Sequence, residues 1–409
     1  MSVATGASEP RSLAGAVSLQ RYSGGSGLMR AAGAAGLLGL VGCVAGFVIA
    51  PKQAYFSYLF AFCYWVGIAV AGIILLAIFH ATKAKWMVVL RRAVETVAVT
   101  PPIFALLFIP IALGMRQLYI WVDPPPTLPE HTLHLLHHKH PYLNVPFFLA
   151  RAAFYFASWS LIGYLLHRWS VRQDESGAVN LTVKQRRLGV GALPVLALTL
   201  TFAAFDWMMS LDPTWVSTIF GVYFFAGAFV SVIAIIILAA AYGQGENSFG
   251  RWMTPAHFHN LGKLLLGFTA FWAYIAFSQF LLIWIANIPE ETPWYLVRTR
   301  QGWKPVAYFL AVGHFVIPFF ILLSQRLKTR PRALARVAAW ILLMHAVDVY
   351  WLILPILYPH APAPNPLDLA AWLGVGGVAV AFAIWRHRGR YAVPVRDPYL
   401  ENSLRYTQP

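Results

Sequence analysis

Histidines and carboxylates inside long apolar segments are the residues of this chain best suited to chemistry. Glu95, Asp206 and His314 each lie within a run of apolar residues. His345 and Asp348 lie three residues apart in another run and therefore on one face of a helix. An ionisable group inside a membrane span is costly to bury, so its presence suggests a functional pathway. Proton transfer is the chemistry predicted, because burial and neighbouring charges can bring the pKa of such groups near working pH.

Ten apolar runs position these residues. Hydrophobic residues make up 59% of the chain and charged residues 11%, against about 45–50% and about 25% in soluble domains. Most of the runs reach the roughly 20 residues needed to cross a bilayer. They fall at about 28–50, 54–80, 87–114, 144–169, 187–210, 214–242, 255–287, 303–325, 334–357 and 367–386. We predict an all-α integral membrane protein of about ten transmembrane helices, the third of which is interrupted by prolines.

The distribution of basic residues predicts the orientation. With the N-terminus inside, Lys and Arg on the cytoplasmic side outnumber those on the opposite side more than threefold, and the heaviest groups are 168–187, 326–336 and 386–405. This asymmetry follows the positive-inside rule and places both termini in the cytoplasm. It also argues against nucleic-acid binding, because the basic residues lie in alternate connecting segments and form no continuous stripe.

Orientation gives each ionisable residue a depth in the membrane. The predicted order from the inner to the outer side is Glu95 with His257, His259 and Lys263, then His314, then His345, Asp348 and Asp206. Such a series of depths suits a proton path. Structural pairing, for example of His345 with Asp348, explains the same residues and remains an open alternative.

Three connecting segments stand out on the outer side. Segment 116–143 begins with Asp123 and three prolines. It continues with five histidines, His131, His134, His137, His138 and His140. Few acidic residues accompany them, so docking against a partner is favoured over metal binding. Segment 288–302 is acidic and then aromatic. Between the fifth and sixth runs, Asp212 and Pro213 predict a tight hairpin with proline at the first position of the next helix.

Cysteine and histidine spacing excludes several redox sites. Cys43 and Cys63 lie in apolar runs, and neither a C-x-x-C nor a C-x-x-C-H motif is present. Cysteine-ligated zinc, iron–sulfur and c-type haem sites are therefore excluded. No run carries two histidines at the spacing of a bis-histidine b-type cytochrome. A haem held between unlike helices, for instance by His314 and His345, remains an alternative.

Three strings resemble a known family. They are FDWMMSLDPTWVSTIFGVYFFAGAFVS at 205–231, HFHNLGKLLLGFTAFWAYIAFSQFLLIWIANIPEETPWY at 257–295 and HAVDVYWLILP at 345–355. They resemble the F subunit of alternative complex III, the bacterial quinol:cytochrome c oxidoreductase, where it is known as quinone-binding subunit 2. That subunit belongs to the wider NrfD/polysulfide-reductase type. The resemblance covers roughly residues 30–390 and does not include the basic N-terminal tail.

The resemblance implies two four-helix bundles, made of spans 2–5 and 6–9, with spans 1 and 10 flanking them. The corresponding segments are a disordered cytoplasmic tail 1–27, flanking helix 28–53, first bundle 54–212 with its periplasmic loop 116–143, second bundle 213–357, flanking helix 358–390 and a cytoplasmic C-terminal tail 391–409.

The resemblance also implies partners and a location in the bacterial cytoplasmic membrane. The expected partners are a sister NrfD-like membrane subunit, a periplasmic iron–sulfur subunit, multihaem cytochrome c subunits and a terminal oxidase. Haem c and iron–sulfur clusters belong to those partners, quinol (menaquinol or ubiquinol) is the substrate of the complex, and this chain is expected to hold no cofactor or metal. The family's proposed proton-conducting positions match Asp206, His257, His259, Lys263 and Asp348. At Asn260 relatives are expected to have an acidic residue, and an amide cannot titrate in its place.

Three functions follow as hypotheses. The first is a membrane subunit of a respiratory quinol:cytochrome c oxidoreductase that anchors periplasmic redox subunits, conducts protons and is not catalytic alone. The second is a secondary transporter, which commonly has paired broken helices in its two halves. Only the third run is conspicuously broken by proline here, without a clear counterpart. The third is a purely structural membrane anchor with inert polar pairs.

Overall fold

The computed structural model describes residues 21–243, 245 and 248–407, and this part of the chain is helical without any strand. Of the predicted tail 1–27, residues 1–20 lie outside the described part of the chain. Ten helices in the described part are long and apolar enough to cross a membrane, which confirms the predicted number. They are α1 Ser26–Ile49, α2 Pro51–Thr82, α3 Lys85–Leu113, α4 Val145–Ser176, α5 Val179–Leu211, α6 Phe220–Tyr242, α7 Pro255–Ala286, α8 Gln301–Leu323, α9 Pro331–Ile356 and α10 Pro366–His387.

Helices α2 and α6 form the centre of the molecule. In their most apolar stretches 89% of the α2 residues and 78% of the α6 residues are buried by protein, whereas only 22% are in α1. Helix α2 contacts α3, α4 and α5, helix α6 contacts α7 and α9, and α8 packs on α7 and α9. The two central helices also contact each other. The most exposed helices present long apolar side chains outward, as expected for helices that face lipid or another membrane chain.

Helices α1 and α10 pack against each other at backbone distance. A Cβ on Gly39 of α1 would lie 2.4 Å from the Ala370 carbonyl oxygen, and a Cβ on Gly377 of α10 would lie 2.4 Å from the Ala32 carbonyl oxygen. Only glycine fits at both positions. Small residues drive such close pairing in membranes because packing, and not water exclusion, holds the helices together.

The ends of the helices lie on two sides, named here after the segments that they carry. The terminal side holds residues 21–25 and 388–407, and the loop side holds residues 114–144 and 287–300. Both ends of the described chain meet on the terminal side, where the Tyr22 amide donates to the Arg390 carbonyl at 2.8 Å.

The segment predicted as a C-terminal tail, as far as residue 407, folds back on the terminal side. A short helix, Leu400–Leu404, lies against the beginning of α3. The Ser403 hydroxyl donates to the Trp86 carbonyl at 2.7 Å and accepts from the Val89 amide at 3.1 Å. Val393 and Asp397 are also buried. The C-terminal segment is therefore part of the folded structure.

Helix α3 is interrupted where the prolines predict it. Its helical stretches are Val88–Ala98, Pro101–Leu107 and Ile109–Leu113. Pro101 and Pro102 have no N–H to donate to the carbonyls one turn earlier. The Thr100 hydroxyl donates to one of these carbonyls, that of Val97, at 2.7 Å. Helix α8 contains a π-helical stretch, Ala311–Val316, a form that often occurs at functional sites.

The connection between α5 and α6 differs from the predicted hairpin. Pro213 is not the first residue of a helix, because α6 begins only at Phe220. The Asp212 carboxylate accepts from the Thr214 amide at 3.1 Å and so forms a local turn. Trp215 is then buried and stacks on Trp294 at 4.2 Å between ring centroids. Burial of this tryptophan keeps the segment extended, and sequence spacing did not reveal it.

The histidine-rich segment on the loop side contains a short helix, Glu130–Lys139. All five of its histidines are exposed. The Lys139 ammonium donates to the Pro213 carbonyl at 2.7 Å, which ties this helix to the α5–α6 connection. Partial burial lowers the pKa of Lys139.

Candidate functional site

Asp348 of α9 lies in a buried cluster to which each of α6, α7, α8 and α9 contributes a side chain. One carboxylate oxygen accepts a hydrogen bond from the Tyr223 hydroxyl, and the other accepts from the Trp272 indole N–H at 3.1 Å. His345 and His314 complete this set, named here the central cluster. All five side chains are at most 4% exposed. A carboxylate, a phenol and two imidazoles are thus enclosed among four helices.

The two imidazoles of the central cluster contain buried nitrogen atoms that form no hydrogen bond with the described residues. His345 Nδ1 lies 3.8 Å from the Asp348 carboxylate, which is longer than a hydrogen bond. The nitrogen atoms of His314 and His345 have no hydrogen-bond partner in the described part of the chain. Buried polar atoms without partners are rare in proteins and call for an explanation. One explanation is that the imidazoles exchange protons with the carboxylate through bridging water.

The ring positions disfavour a haem between these histidines. The His314 and His345 ring centroids are 6.5 Å apart. The His314 ring lies 3.8 Å from that of Trp272, and the His345 ring lies 5.3 Å from that of Tyr64. Gly227 packs so closely on His345 that a Cβ there would lie 2.7 Å from the imidazole. Protein side chains and backbone therefore occupy the faces where a porphyrin would have to lie.

Glu95 of α3 belongs to a second buried cluster on the terminal side. Its carboxylate pairs with Arg92 at 2.6 Å and with Arg91 at 3.3 Å, and His167 Nδ1 lies 3.2 Å away. Arg92 also pairs with Asp174 of α4. This set, with Arg91 and Asp397, is named here the terminal-side cluster.

Asp397 brings the C-terminal segment into that cluster, where its carboxylate pairs with Arg91 at 2.5 Å. Three carboxylates then face two guanidinium groups, so the cluster carries a charge of −1 when His167 is neutral. Uptake of one proton would neutralise it. Since an unbalanced buried charge is costly, the composition of the cluster favours holding a proton.

Asp206, by contrast, is held in an ion pair on the loop side. The Arg151 guanidinium donates to both of its oxygens at 2.8 Å, and the Tyr155 hydroxyl donates to one of them at 2.8 Å. The guanidinium also lies 3.8 Å from the Tyr142 ring centroid and 4.3 Å from that of Phe147. Bidentate pairs of this kind are strong and directional. The arrangement gives Asp206 an anchoring role.

Helix α4 links the loop-side pair to the terminal-side cluster along one buried face. Arg151, Tyr155 and Trp159 follow one another at intervals of one turn, and the Trp159 indole donates to the Thr199 hydroxyl at 2.8 Å. His167 lies two turns further, about 12 Å along the axis. Between them, Gly163 packs directly on the Ala98 carbonyl at the break of α3. The polar face of α4 is therefore interrupted at mid-length.

The three predicted residues at the beginning of α7 do not join the central cluster. His257 caps the helix, with Nδ1 accepting from the Thr254 amide at 3.0 Å. His259 is half-buried. Lys263 is exposed, and its charge, together with the larger effect of burial, lowers the pKa of Lys328. Asn260 donates to the Tyr406 hydroxyl at 2.8 Å, so it serves to hold the C-terminal segment.

Arg298 places a buried positive charge between the central cluster and the loop side. It lies in the short helix Thr292–Thr299 and donates to the Leu352 carbonyl at 2.7 Å, one turn beyond Asp348 on α9. Its guanidinium also covers the Trp294 ring at 3.6 Å from the centroid. It makes no salt bridge within the described chain. Burial lowers the pKa of Arg298 to about 9, so the group stays charged at neutral pH.

Sequence reasoning found Glu95, His314, His345 and Asp348 but not their partners. Tyr223, Trp272, His167 and Asp174 are remote in sequence from the residues that they contact. Arg151 and Asp397 appeared only as charges of connecting segments. The sequence signal that could have indicated Arg151 and His167 is the recurrence of polar and aromatic residues at one-turn intervals along α4.

The fold and these clusters define the chain as a multi-pass helical membrane protein with ionisable groups enclosed among its helices. Comparison with protein-family models and with curated proteins finds no match. Within the described ranges, no three His, Cys, Asp or Glu side chains are grouped to hold a metal ion. The function must therefore be inferred from the buried groups and from the sequence resemblance.

Proposed function

We propose that this chain is a membrane subunit of a respiratory quinol:cytochrome c oxidoreductase complex, in which it anchors redox partners and conducts protons. The central cluster carries the proposal. Tyr223, Trp272, His345 and Asp348 each come from one of the three strings that resemble the F subunit of alternative complex III. Strings separated by tens of residues thus supply one buried group of proton-exchanging side chains. This convergence supports a role in proton transfer.

The proton path that we propose begins at the terminal-side cluster. The positive-inside rule places this side in the cytoplasm, where the unbalanced charge of the cluster would attract a proton. Within the central cluster, transfer between an imidazole and the carboxylate then requires bridging water, since His345 Nδ1 lies 3.8 Å from Asp348. The positive charge of Arg298 would repel a proton that moves from the central cluster toward the loop side. In the proposed path, protons therefore do not pass this residue directly.

The loop side is the proposed attachment site of the redox partners. It carries the exposed histidine helix Glu130–Lys139 and the acidic segment that begins at Glu290. In the proposed complex these surfaces face a periplasmic iron–sulfur subunit, multihaem cytochrome c subunits and a terminal oxidase. Haem c, iron–sulfur clusters and the quinol site would belong to the partners, the last to the sister NrfD-like subunit.

A purely structural anchor is the second candidate. The observation that favours it is the Arg151–Asp206 pair, which shows that one predicted proton-path residue has a complete set of structural partners. The transporter hypothesis is less well supported. At the break in α3 the Ala98 carbonyl is covered by Gly163, whereas transporters direct such freed backbone groups at a substrate.

Two measurements test the proposal. The first is purification of the tagged chain from its native membrane. Co-isolation of haem c and iron–sulfur subunits is expected, and isolation of the chain alone would overturn the assignment to a redox complex.

The second is proton release per quinol oxidised by the complex in liposomes, with Asp348→Asn and Tyr223→Phe. We expect at least a tenfold loss of coupled proton transfer in Asp348→Asn, because a positioned proton-transfer group contributes about 10²–10⁴-fold. Asp123→Asn, at an exposed position, is the matched control. Unchanged stoichiometry and turnover in both cluster variants would establish the structural anchor instead.

A further inference from the structure

A large apolar cavity opens between the α1–α10 pair and the rest of the molecule. It measures about 680 Å³ and is lined by the beginning of α1, the end of α10, and parts of α2, α3 and α6. It extends from Tyr22 and His387 on the terminal side to Trp65 and Phe104 deeper among the helices. Its volume is within the roughly 300–1,000 Å³ of ordinary ligand sites.

Several polar groups on the cavity wall are already used within the protein. The Thr96 hydroxyl donates to the Arg92 carbonyl at 2.8 Å, so His387 Nδ1, 3.0 Å away, must be the donor in their mutual bond. The Thr100 hydroxyl donates to a backbone carbonyl, and the Trp65 indole donates to the Trp372 carbonyl at 3.0 Å. The wall therefore offers hydrocarbon contact and few free hydrogen-bond donors. This favours an alkyl chain over a quinone ring or another polar ligand.

The mouth of the cavity is basic. Tyr22 is held there by backbone hydrogen bonds to Gly389 and Arg390, and its ring lies 4.7 Å from that of His387. Arg21 is adjacent to Tyr22, and Arg388 is close enough to act on the Tyr22 phenol, whose pKa is raised by burial and lowered in part by this charge. These arginines form no salt bridge in the part of the chain described here.

The described wall of the cavity supplies no charge opposite to that of the arginines. None of the described lining residues is acidic. Glu95, which precedes the lining residue Thr96, is already paired with Arg91 and Arg92. An apolar slot with arginines at its mouth, none of them in a salt bridge with another described residue, is complementary to a lipid with an anionic headgroup.

We propose that this cavity binds one acyl chain of an anionic phospholipid, with the headgroup phosphate at the mouth beside Arg21, Arg388 and Arg390. The lipid would fill the space between the α1–α10 pair and the central helices and would hold the pair in place. This site is separate from the proposed proton path and does not depend on it.

The test is native mass spectrometry of the full-length chain, purified in mild detergent and titrated with phosphatidylglycerol or with phosphatidylcholine of the same acyl chains. Wild type is expected to retain one phosphatidylglycerol and to prefer it over phosphatidylcholine. Ala383→Phe places a ring in the cavity and is expected to weaken phosphatidylglycerol binding at least about tenfold. Ala34→Phe, exposed on α1, is the matched control and should bind like wild type.

A second variant pair tests the mouth without changing the cavity. Arg388→Gln with Arg390→Gln is expected to reduce the preference for phosphatidylglycerol by roughly tenfold. Arg326→Gln with Arg330→Gln, in another segment of the terminal side, should leave it unchanged. Equal binding of the two lipids by wild type, full binding by Ala383→Phe, or recovery of a quinone as the bound molecule would each overturn the proposal.

Discussion

The Arg151 guanidinium binds both oxygens of the Asp206 carboxylate, Nε to Oδ2 and Nη2 to Oδ1, each at 2.8 Å. The pair joins α4 to α5 near the loop side, and the Tyr155 hydroxyl adds a third donor. Sequence position alone placed Asp206 at the outer end of the predicted proton path. Its partners instead make it a structural link between two neighbouring helices.

Removal of Arg151 alone is expected to lower stability strongly, and removal of both partners is expected to lower it less. Arg151→Leu is expected to destabilise the protein by about 3–5 kcal/mol, because it leaves the Asp206 carboxylate buried without its counter-charge. Adding Asp206→Leu should recover much of the loss, since it removes the orphaned charge. Thermal unfolding of the chain in detergent measures both variants. Additive losses in the double variant would show that the two residues do not act as a unit.

Gly163 gives a steric prediction at the break of α3. A Cβ there would lie 2.2 Å from the Ala98 carbonyl oxygen, a backbone atom that cannot rotate away. Gly163→Ala is therefore expected to lower stability by about 1–3 kcal/mol, as overpacking does elsewhere. Gly191→Ala is the matched control, because its Cβ would meet no atom within 4 Å. Equal unfolding midpoints for the two variants would contradict the close packing of α3 on α4.

The contact between α1 and α10 can be tested with the two native cysteines. Gly39→Ala is expected to push α10 away, because its Cβ would lie 2.5 Å from the Gly374 amide nitrogen. Cys43, one turn along α1 and 2% exposed, should then react faster with a maleimide, while Cys63 on α2 keeps its rate. Gly33→Ala, whose Cβ would make only an ordinary contact, is the control. Unchanged labelling of Cys43 in Gly39→Ala would argue against backbone contact at this position.

Lys328 gives a prediction on pH dependence. Burial and then the charge of Lys263 lower its pKa. Between that lowered value and the ordinary pKa of lysine, the folded state binds fewer protons than the unfolded state. Stability therefore rises as pH increases through the lowered pKa.

Lys263→Gln removes the like charge and should raise the pKa of Lys328, which moves this rise in stability to higher pH. Carbon-13 NMR titration of reductively methylated lysines measures the pKa directly. Lys52→Gln, exposed on the opposite side, is the control. A Lys328 pKa that is the same in Lys263→Gln and wild type would contradict the interaction.

The helices were predictable because the bilayer imposes length and composition on each one separately. The proline break in α3 and the shared helix face of His345 and Asp348 were predictable for the same reason, since both are local. The prediction that Pro213 begins a helix was wrong because the buried Trp215 keeps the connection extended. That burial depends on Trp294, which is far along the chain.

Partners across helices were not predictable. Periodicity shows which residues share a helix face but not which faces meet. The Tyr223 hydroxyl reaches Asp348 across 125 positions of sequence, and Arg92 reaches Asp174 across 82. Asp397 lies in a segment that composition marks only as a polar tail.

The place of Asp397 in the chain has a consequence for biosynthesis. It pairs with Arg91 across 306 positions of sequence, so the ribosome makes the guanidinium long before the carboxylate. Until then Arg91 lacks its nearest carboxylate and has, among the described residues, only Glu95, 3.3 Å away, as a counter-ion. The last described segment supplies this partner and at the same time covers the starts of α3 and α7. The packing at the start of α3 is therefore finished only after the chain has been made as far as Asp397, and a chain cut before this residue would leave the Arg91 guanidinium without its closest partner.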